Sequence, residues 1–254
     1  MYHKNSFCSR AYILLAAGNG SRMRPLTDNT PKAMLKVGNV SLLQRILNEI
    51  TRLSSGEIVV VTGFQPCQII SMIERCFPGR VKIVQNSSYQ DDVNILSVDI
   101  GVDALANPEY GYTIVETDLL IDRPGWEAIH NCQTAGKSFW VTNGAYHKKQ
   151  TGGIVHINEQ GLIDDIGYVP EYDSKYDLYL KMLGVVSVCP QNVNNDRLFR
   201  KEAMRKSIAQ YYMASWIDNV VSLPAIHLDL SQYFSVSFNT PEEFKIATKT
   251  FLTS

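Results

Sequence analysis

The residues best suited to chemistry lie in one stretch, Gly18-Asn19-Gly20-Ser21-Arg22, with Arg24 two residues on and Lys32 behind Pro31. Small residues keep side chains clear of the backbone there, so free N–H groups can approach an anion closely. Three cations beside such a loop describe a site for a polyphosphate. Two common phosphate loops do not fit. A dinucleotide fingerprint needs a third glycine where Met23 stands, and a Walker loop closes on Gly-Lys-Ser/Thr, whereas Gly20 is followed by Ser21-Arg22. Further on, Glu116-Thr117-Asp118 follows an apolar run. Hard carboxylate oxygens suit Mg²⁺, which takes one or two protein carboxylates and completes its shell with phosphate and water. Lys181 lies inside another apolar run, where a buried ammonium needs an anion; a substrate phosphate and a strand-edge position account for it equally. His147, Lys148 and Lys149 occupy a polar loop that reads as a solvated basic face or as a contact to an anion. The sequence shows no Gly-x-Ser-x-Gly, no Cys/His pair at a known spacing and no His cluster for zinc, so no nucleophilic side chain is expected.

Alternating short apolar runs and amphipathic stretches must position these groups. Tyr12 to Leu15 reads as a buried parallel strand ending at the glycine loop. Leu42, Leu43, Ile46, Leu47 and Ile50 recur at helical spacing behind Ser41 as N-cap. Strands at Ile58–Val61 and Val81–Val84 flank a helix that opens at Pro66. This β-α-β-α-β run calls for a parallel sheet with right-handed crossovers. A further strand, Tyr112–Val115, delivers Glu116 and Asp118 to the crevice at the strands' carboxyl ends. After it come a helix over Pro124–Ala135 and a strand over Ser138–Thr142. A hairpin-like pair around Asn158–Gly161 follows, then a long strand Tyr179–Val188 interrupted at Gly184. A charged helical stretch over Asn194–Met213 and a capped terminal helix near Thr240-Pro241 end the chain.

At 254 residues and 45% hydrophobic, the chain can bury a large core, and one domain is expected over 1–254. A net charge of −1 gives no reason to expect nucleic acid or an anionic membrane as partner. The polar segment before Tyr12 lacks the apolar region of a signal peptide, and no stretch reaches membrane-span length. Five scattered cysteines without a Cys-x-x-Cys pair read as reduced, mostly buried thiols of a cytoplasmic protein.

The stretch from Leu15 to Val37 resembles the signature of the nucleotidyltransferase (pyrophosphorylase) family. Leu15, Ala16, Ala17, Gly18, Gly20, Arg22, Pro25, Leu26, Thr27, Pro31, Lys32 and Val37 match every fixed position. Asn86, Tyr89, Asp91, Asn94 and Ser97 resemble an element of the phosphocholine and phosphonate cytidylyltransferase branch that lies near base and ribose. The resemblance implies a Rossmann-like three-layer α/β/α fold with a mixed, mostly parallel sheet. It divides the chain at roughly 11–145 for the nucleotide and 146–254 for the acceptor. It implies Mg²⁺-dependent transfer of a nucleoside monophosphate from an NTP, foremost CTP, to a small phosphate or phosphonate, with release of pyrophosphate.

In that reading Leu15, Ala16, Ala17, Gly18, Asn19, Gly20, Ser21, Asn94 and Ser97 bind the nucleotide, and Arg22, Lys32 and Asp118 are catalytic. Asp118 and Asp218, the latter from Trp216-Ile217-Asp218, hold the metal, while Lys181 and Lys148 face the acceptor. Glu116 is either a supporting or a structural acid. Gly152-Gly153 stands near where the phosphocholine enzyme carries an aromatic residue, which counts against choline. The alternatives are a sugar-1-phosphate nucleotidyltransferase using UTP, dTTP or GTP and a non-catalytic nucleotide-binding subunit. Capsule, lipopolysaccharide and phosphonate metabolism would all be served by such a site, and a homo-oligomer is compatible with it.

Overall fold

The computed structural model describes residues 10–148 and 150–253 of the chain, so Cys8 and Lys149 lie outside the described residues. The first half contains strands β1 (Ala11–Ala16), β2 (Lys36–Val37), β3 (Val40–Ser41), β4 (Ile58–Thr62), β5 (Lys82–Gln85), β6 (Tyr112–Glu116) and β7 (Leu119–Ile121). With them come helices α1 (Leu42–Leu53), α2 (Pro66–Cys76), α3 (Ile95–Asp103) and α4 (Arg123–Thr134). The second half adds β8 (Ser138–Ala145), β9 (Gly152–Ile157), β10 (Ile163–Val169), β11 (Leu180–Val188), α5 (Val193–Lys206), α6 (Ala214–Ile217), β12 (Ala225–Asp229), β13 (Ser235–Ser237) and α7 (Pro241–Thr253).

One nine-stranded sheet runs β10-β9-β11-β6-β1-β4-β5, with β8 on β11 and β12 on β8. β1 pairs in parallel with both β4 and β6, and β4 with β5. Only β10 and β11 run against the other strands of this sheet, so it is mixed and mostly parallel. Alternation along β1 explains the layers. Tyr12 and Leu14 face α1, α2 and α4 through Leu43, Ile46, Ile69 and Trp126, whereas Ile13 and Leu15 face α3, α5 and α6 through Val98, Val193 and Trp216. The expected α/β/α arrangement is therefore the observed one. Ser41 caps α1 by accepting from Gln44 N at 3.3 Å, and Asp122 caps α4 by accepting from Gly125 N at 2.9 Å.

Four features depart from the sequence reading. β11 is continuous through Gly184, because the missing side chain admits that of Glu116. The stretch Asn194–Met213 is not one helix: α5 ends at Lys206, where Gln210 Nε2 donates to the Ala203 and Ser207 carbonyls. Short strands β7 and β13 pair with each other off the main sheet. Of the four described cysteines only Cys189 is buried; Cys67 is exposed and Cys76 and Cys132 are intermediate.

A buried ionic cluster ties the second helical layer to the sheet. The Arg200 guanidinium bonds Asp196 one turn back and reaches Asp99 on α3 at 3.2 Å. The Tyr112 hydroxyl donates to Asp196, and Trp216 Nε1 donates to its other oxygen at 2.9 Å. Burial pulls the Arg200 pKa down, but Asp196, Tyr112 and Asp99 outweigh it and hold it above its ordinary value. Breaking such a pair leaves buried charge unopposed. Arg200→Ala should therefore cost about 3–5 kcal/mol in denaturant unfolding, and a loss below about 1 kcal/mol would show that Asp196 and Asp99 find other partners.

Candidate active site

The carboxyl ends of β1 and β6 open into a cavity of ≈ 300 Å³. Its floor is the loop after β1. Ala17 O accepts from Phe64 N at 3.0 Å, and a side chain at Gly63 would lie 2.7 Å from that oxygen and 2.6 Å from Tyr89, so this close approach requires glycine. Gly20 adopts φ +61°, the left-handed conformation that glycine tolerates best, and leads into a short turn Ser21–Met23. Thr27 Oγ1 donates to Gly20 O at 2.7 Å and Met23 is fully buried, so the loop is held from beneath while Gly18, Ser21 and exposed Arg22 line the cavity. Asn19 does not line it; its side chain accepts from Ser21 N at 3.1 Å and shapes the turn.

Across the loop, Lys32 Nζ donates to Asp118 Oδ2 at 2.8 Å and to Phe238 O at 2.6 Å. Two devices bring these parts together. β7 directly follows Asp118 and pairs with β13, which directly precedes Phe238. Beyond it, Thr240 and Glu243 form a reciprocal capping box at the start of α7: Thr240 Oγ1 accepts from Glu243 N, and Glu243 Oε2 accepts from the backbone of Asn239 and Thr240. Thr117 Oγ1 fastens β6 to β1 by donating to Leu15 O at 2.8 Å.

Asp118 Oδ1 is buried and has no hydrogen-bond partner among the described residues. An orphaned carboxylate oxygen beside a glycine-rich loop with free backbone N–H groups fits a hard divalent cation. Ser237 and Asn239 line the same cavity and add oxygen donors.

Glu116 lies over Gly184 and accepts from Asn94 Nδ2 at 3.1 Å. Burial pushes its carboxyl up to about 7, helped by Asp118 and opposed by Lys32, Lys181 and Arg22. Lys181 enters from β11 and donates to Gly153 O at 3.1 Å and Met182 O at 3.0 Å. Burial pushes its ammonium down to about 8, against the pull of Glu116 and Asp118. An ammonium with three N–H donors and two carbonyl partners retains a donor for an anion.

Residues 12–147 match the MobA-like NTP transferase domain family, which is more than half of the chain. The chain belongs to this family. It is 36% identical over 158 residues to a 2-aminoethylphosphonate cytidylyltransferase of Lancefieldella rimae, covering 59% of this chain and 61% of that protein. It is 33% identical over 95 residues to a choline-phosphate cytidylyltransferase of Streptococcus pneumoniae, covering 37% and 40%. The chain thus spans about three-fifths of the first of these relatives and two-fifths of the second. Among solved structures, the fold matches the CTP:phosphocholine cytidylyltransferase LicC of S. pneumoniae with TM-score 0.77 at 19% identity, over 95% of this chain and 99% of that one. It matches the inositol-1-phosphate CTP transferase of T. maritima with TM-score 0.75 at 14% identity, over 96% of each. These likenesses establish the three-layer nucleotidyltransferase fold.

In this member of the family, Leu15, Ala16, Ala17, Gly18, Gly20, Ser21, Arg22, Lys32, Asn94, Ser97, Asp118 and Lys181 all line one cavity. Asp218 does not join them. Trp216 is fixed in the core, edge-on to Trp140 at 5.4 Å, which leaves Asp218 exposed at the end of α6, away from Asp118. Lys148 is also outside the cavity, exposed and 5.9 Å from the Tyr172 ring. Nor does Gly152-Gly153 leave the cavity without aromatic groups. Tyr168 and Tyr211 stack at 4.6 Å, Tyr212 stacks on Trp140 at 5.6 Å, and all four line it. Gly153 instead makes room for Met182 and Met213. Tyr211–Met213 escaped the sequence reading because helical spacing continued through them, and Asn239 because it read only as the approach to a helix.

Lys181→Met should keep or raise the melting temperature at neutral pH, since it removes an ammonium whose charged form the fold disfavours. That gain should fade as the pH rises above about 8, where the native lysine sheds its proton. Phosphonate binding should weaken at least roughly tenfold, as for loss of a charged hydrogen bond. A lower melting temperature with unchanged anion affinity would assign Lys181 to folding.

Proposed function

We propose that this chain is a cytidylyltransferase. It moves cytidine monophosphate from CTP to a small phosphate or phosphonate acceptor and releases pyrophosphate. The observation that carries the reading is the meeting of the Gly18–Arg22 loop, the Lys32–Asp118 pair and Lys181 in one cavity. The match to the family and the cytidylyltransferase names of the relatives support it.

An acceptor oxygen attacks the α-phosphorus in line, a new P–O bond forms, and the bond to the β-phosphate oxygen breaks. Transfers of this kind depend on positioning and charge neutralisation rather than a protein nucleophile. Backbone amides of Gly18–Ser21 and the planar fork of Arg22 hold the β- and γ-phosphates. Lys32, a compact point charge, lies between the α-phosphate and the acceptor and stabilises charge there. Lys181 holds the acceptor's anionic group, while the faces of Tyr168 and Tyr211 receive its positively charged end. Asp118 would hold Mg²⁺, with Asn239 and Ser237 beside it. The bound ion would neutralise phosphate charge and fix the α-phosphate.

The test is pyrophosphate release with Mg²⁺ across CTP, UTP, dTTP, GTP and ATP, each with 2-aminoethylphosphonate, phosphocholine and sugar-1-phosphates. Release with CTP and a zwitterionic phosphate or phosphonate is expected, and Asp118→Asn should lower it at least roughly a hundredfold. Release confined to sugar-1-phosphates, or none from any pair, would overturn the reading.

A further inference from the structure

The connection from β5 to α3 supplies a cavity wall that the phosphate and acceptor groups leave free. Lys181 and Tyr168 enter from β11 and β10, on one side of β1, while Tyr89, Asp92 and Ser97 enter from the other side, beyond β4 and β5. Ligands of open α/β sheets lie across strand ends where the order reverses, here between β6 and β1. A nucleotide with its phosphates on Gly18–Arg22 and its reacting end toward Lys181 has this wall for its base.

Hydrogen bonding within the Asn86–Asp92–Ser97 cluster of this wall is one-sided. Asp92 Oδ2 accepts from Asn86 Nδ2 at 2.9 Å, Ser97 N at 2.9 Å and Ser97 Oγ at 2.7 Å. The second amide proton of Asn86 goes to Ser97 Oγ at 3.0 Å. Asn86 is fully buried, and its own oxygen accepts from Ser88 N at 2.9 Å. Asp92 Oδ1 accepts only from Leu96 N, at 3.0 Å. Asn94 donates one amide proton to Glu116, accepts from Tyr212 N and keeps its second proton, and the Tyr89 hydroxyl, which accepts from Gln90 Nε2, keeps its own. Every side-chain proton of the Asn86–Asp92–Ser97 cluster is thus used internally. What it can still offer the cavity is acceptor capacity, one lone pair on Asp92 Oδ1 and one on Ser97 Oγ. Cytosine presents an exocyclic amino donor where thymine, like uracil, presents a carbonyl oxygen.

Resting on the reading of the cavity as a nucleotide site, we infer that Asp92, with Ser97, is the specificity-determining group for the base. It accepts from the cytosine amino group and opposes a carbonyl oxygen at the same place. The free acceptors of Asp92 and Ser97 meeting a carbonyl would leave both sides unpaired, which a partly buried site penalises.

The test is calorimetric binding to the full chain of CTP, UTP and the triphosphate of pyrimidin-2-one riboside, which lacks the 4-amino group. CTP should bind roughly ten- to a hundredfold more tightly than either, as for one hydrogen bond to a charged group. Asp92→Asn should bring the three together. A structural role for Asp92 would weaken all three alike and leave their ratio unchanged, which would overturn the inference. Equal binding of the three by the unaltered protein would overturn it without any variant, should Asp92→Asn fail to fold. Because the readout is binding, selective CTP binding without pyrophosphate release would fault the proposed reaction and still support Asp92 as the base reader.

Discussion

Asp118 is held at the end of β6 with one oxygen against Lys32 and the other without a donor. A carboxylate in that state is only half neutralised. Burial pushes Glu116, two residues away, toward its protonated form with help from Asp118, and burial pushes Lys181 toward its neutral form against the pull of both acids. The cavity therefore gathers acids and bases that do not fully satisfy one another. Anionic phosphates on the lysines together with a cation on Asp118 would relieve both strains at once.

Much of the architecture serves that one position. β1 and β6 lie side by side in parallel, so their carboxyl ends place the glycine loop next to Asp118. The β7–β13 pair and the capping box of α7 carry Phe238 and Asn239 back to the same point from the far end of the chain. The ionic cluster around Arg200 sits in the helical layer behind the opposite wall. Trp216, bonded to Asp196 and packed on Trp140, anchors the segment that presents Tyr211, Tyr212 and Met213. The glycine-loop end of the cavity is thus fixed by backbone geometry, while the end with Lys181 and the aromatic rings is fixed by side-chain packing.

That difference explains what the sequence made legible. The glycine loop was readable because its residue types answer local demands on the backbone, such as the positive φ at Gly20. Asp118 and Lys181 were readable because strand runs show where a polar residue interrupts an apolar environment. The place of Asp218 was not: Trp216-Ile217-Asp218 owes its tryptophan to core packing, and the acid that follows it is exposed and outside the cavity that Asp118 lines. Asn239, the amide that does line the site, was hidden before a helix cap. The aromatic wall was hidden too, since its rings come from β10, from β8 and from a stretch whose spacing imitates a helix. Tertiary packing, not local pattern, brings them together.

The most direct test of this account is Mn²⁺ binding, followed by electron paramagnetic resonance, to the protein and to Asp118→Asn in the presence of CTP. The account predicts that the protein takes up Mn²⁺ with the nucleotide and that the Asn variant, folded and still able to bind CTP, does not. Equal uptake by both would contradict it, because the orphaned oxygen of Asp118 would then not be the metal's anchor.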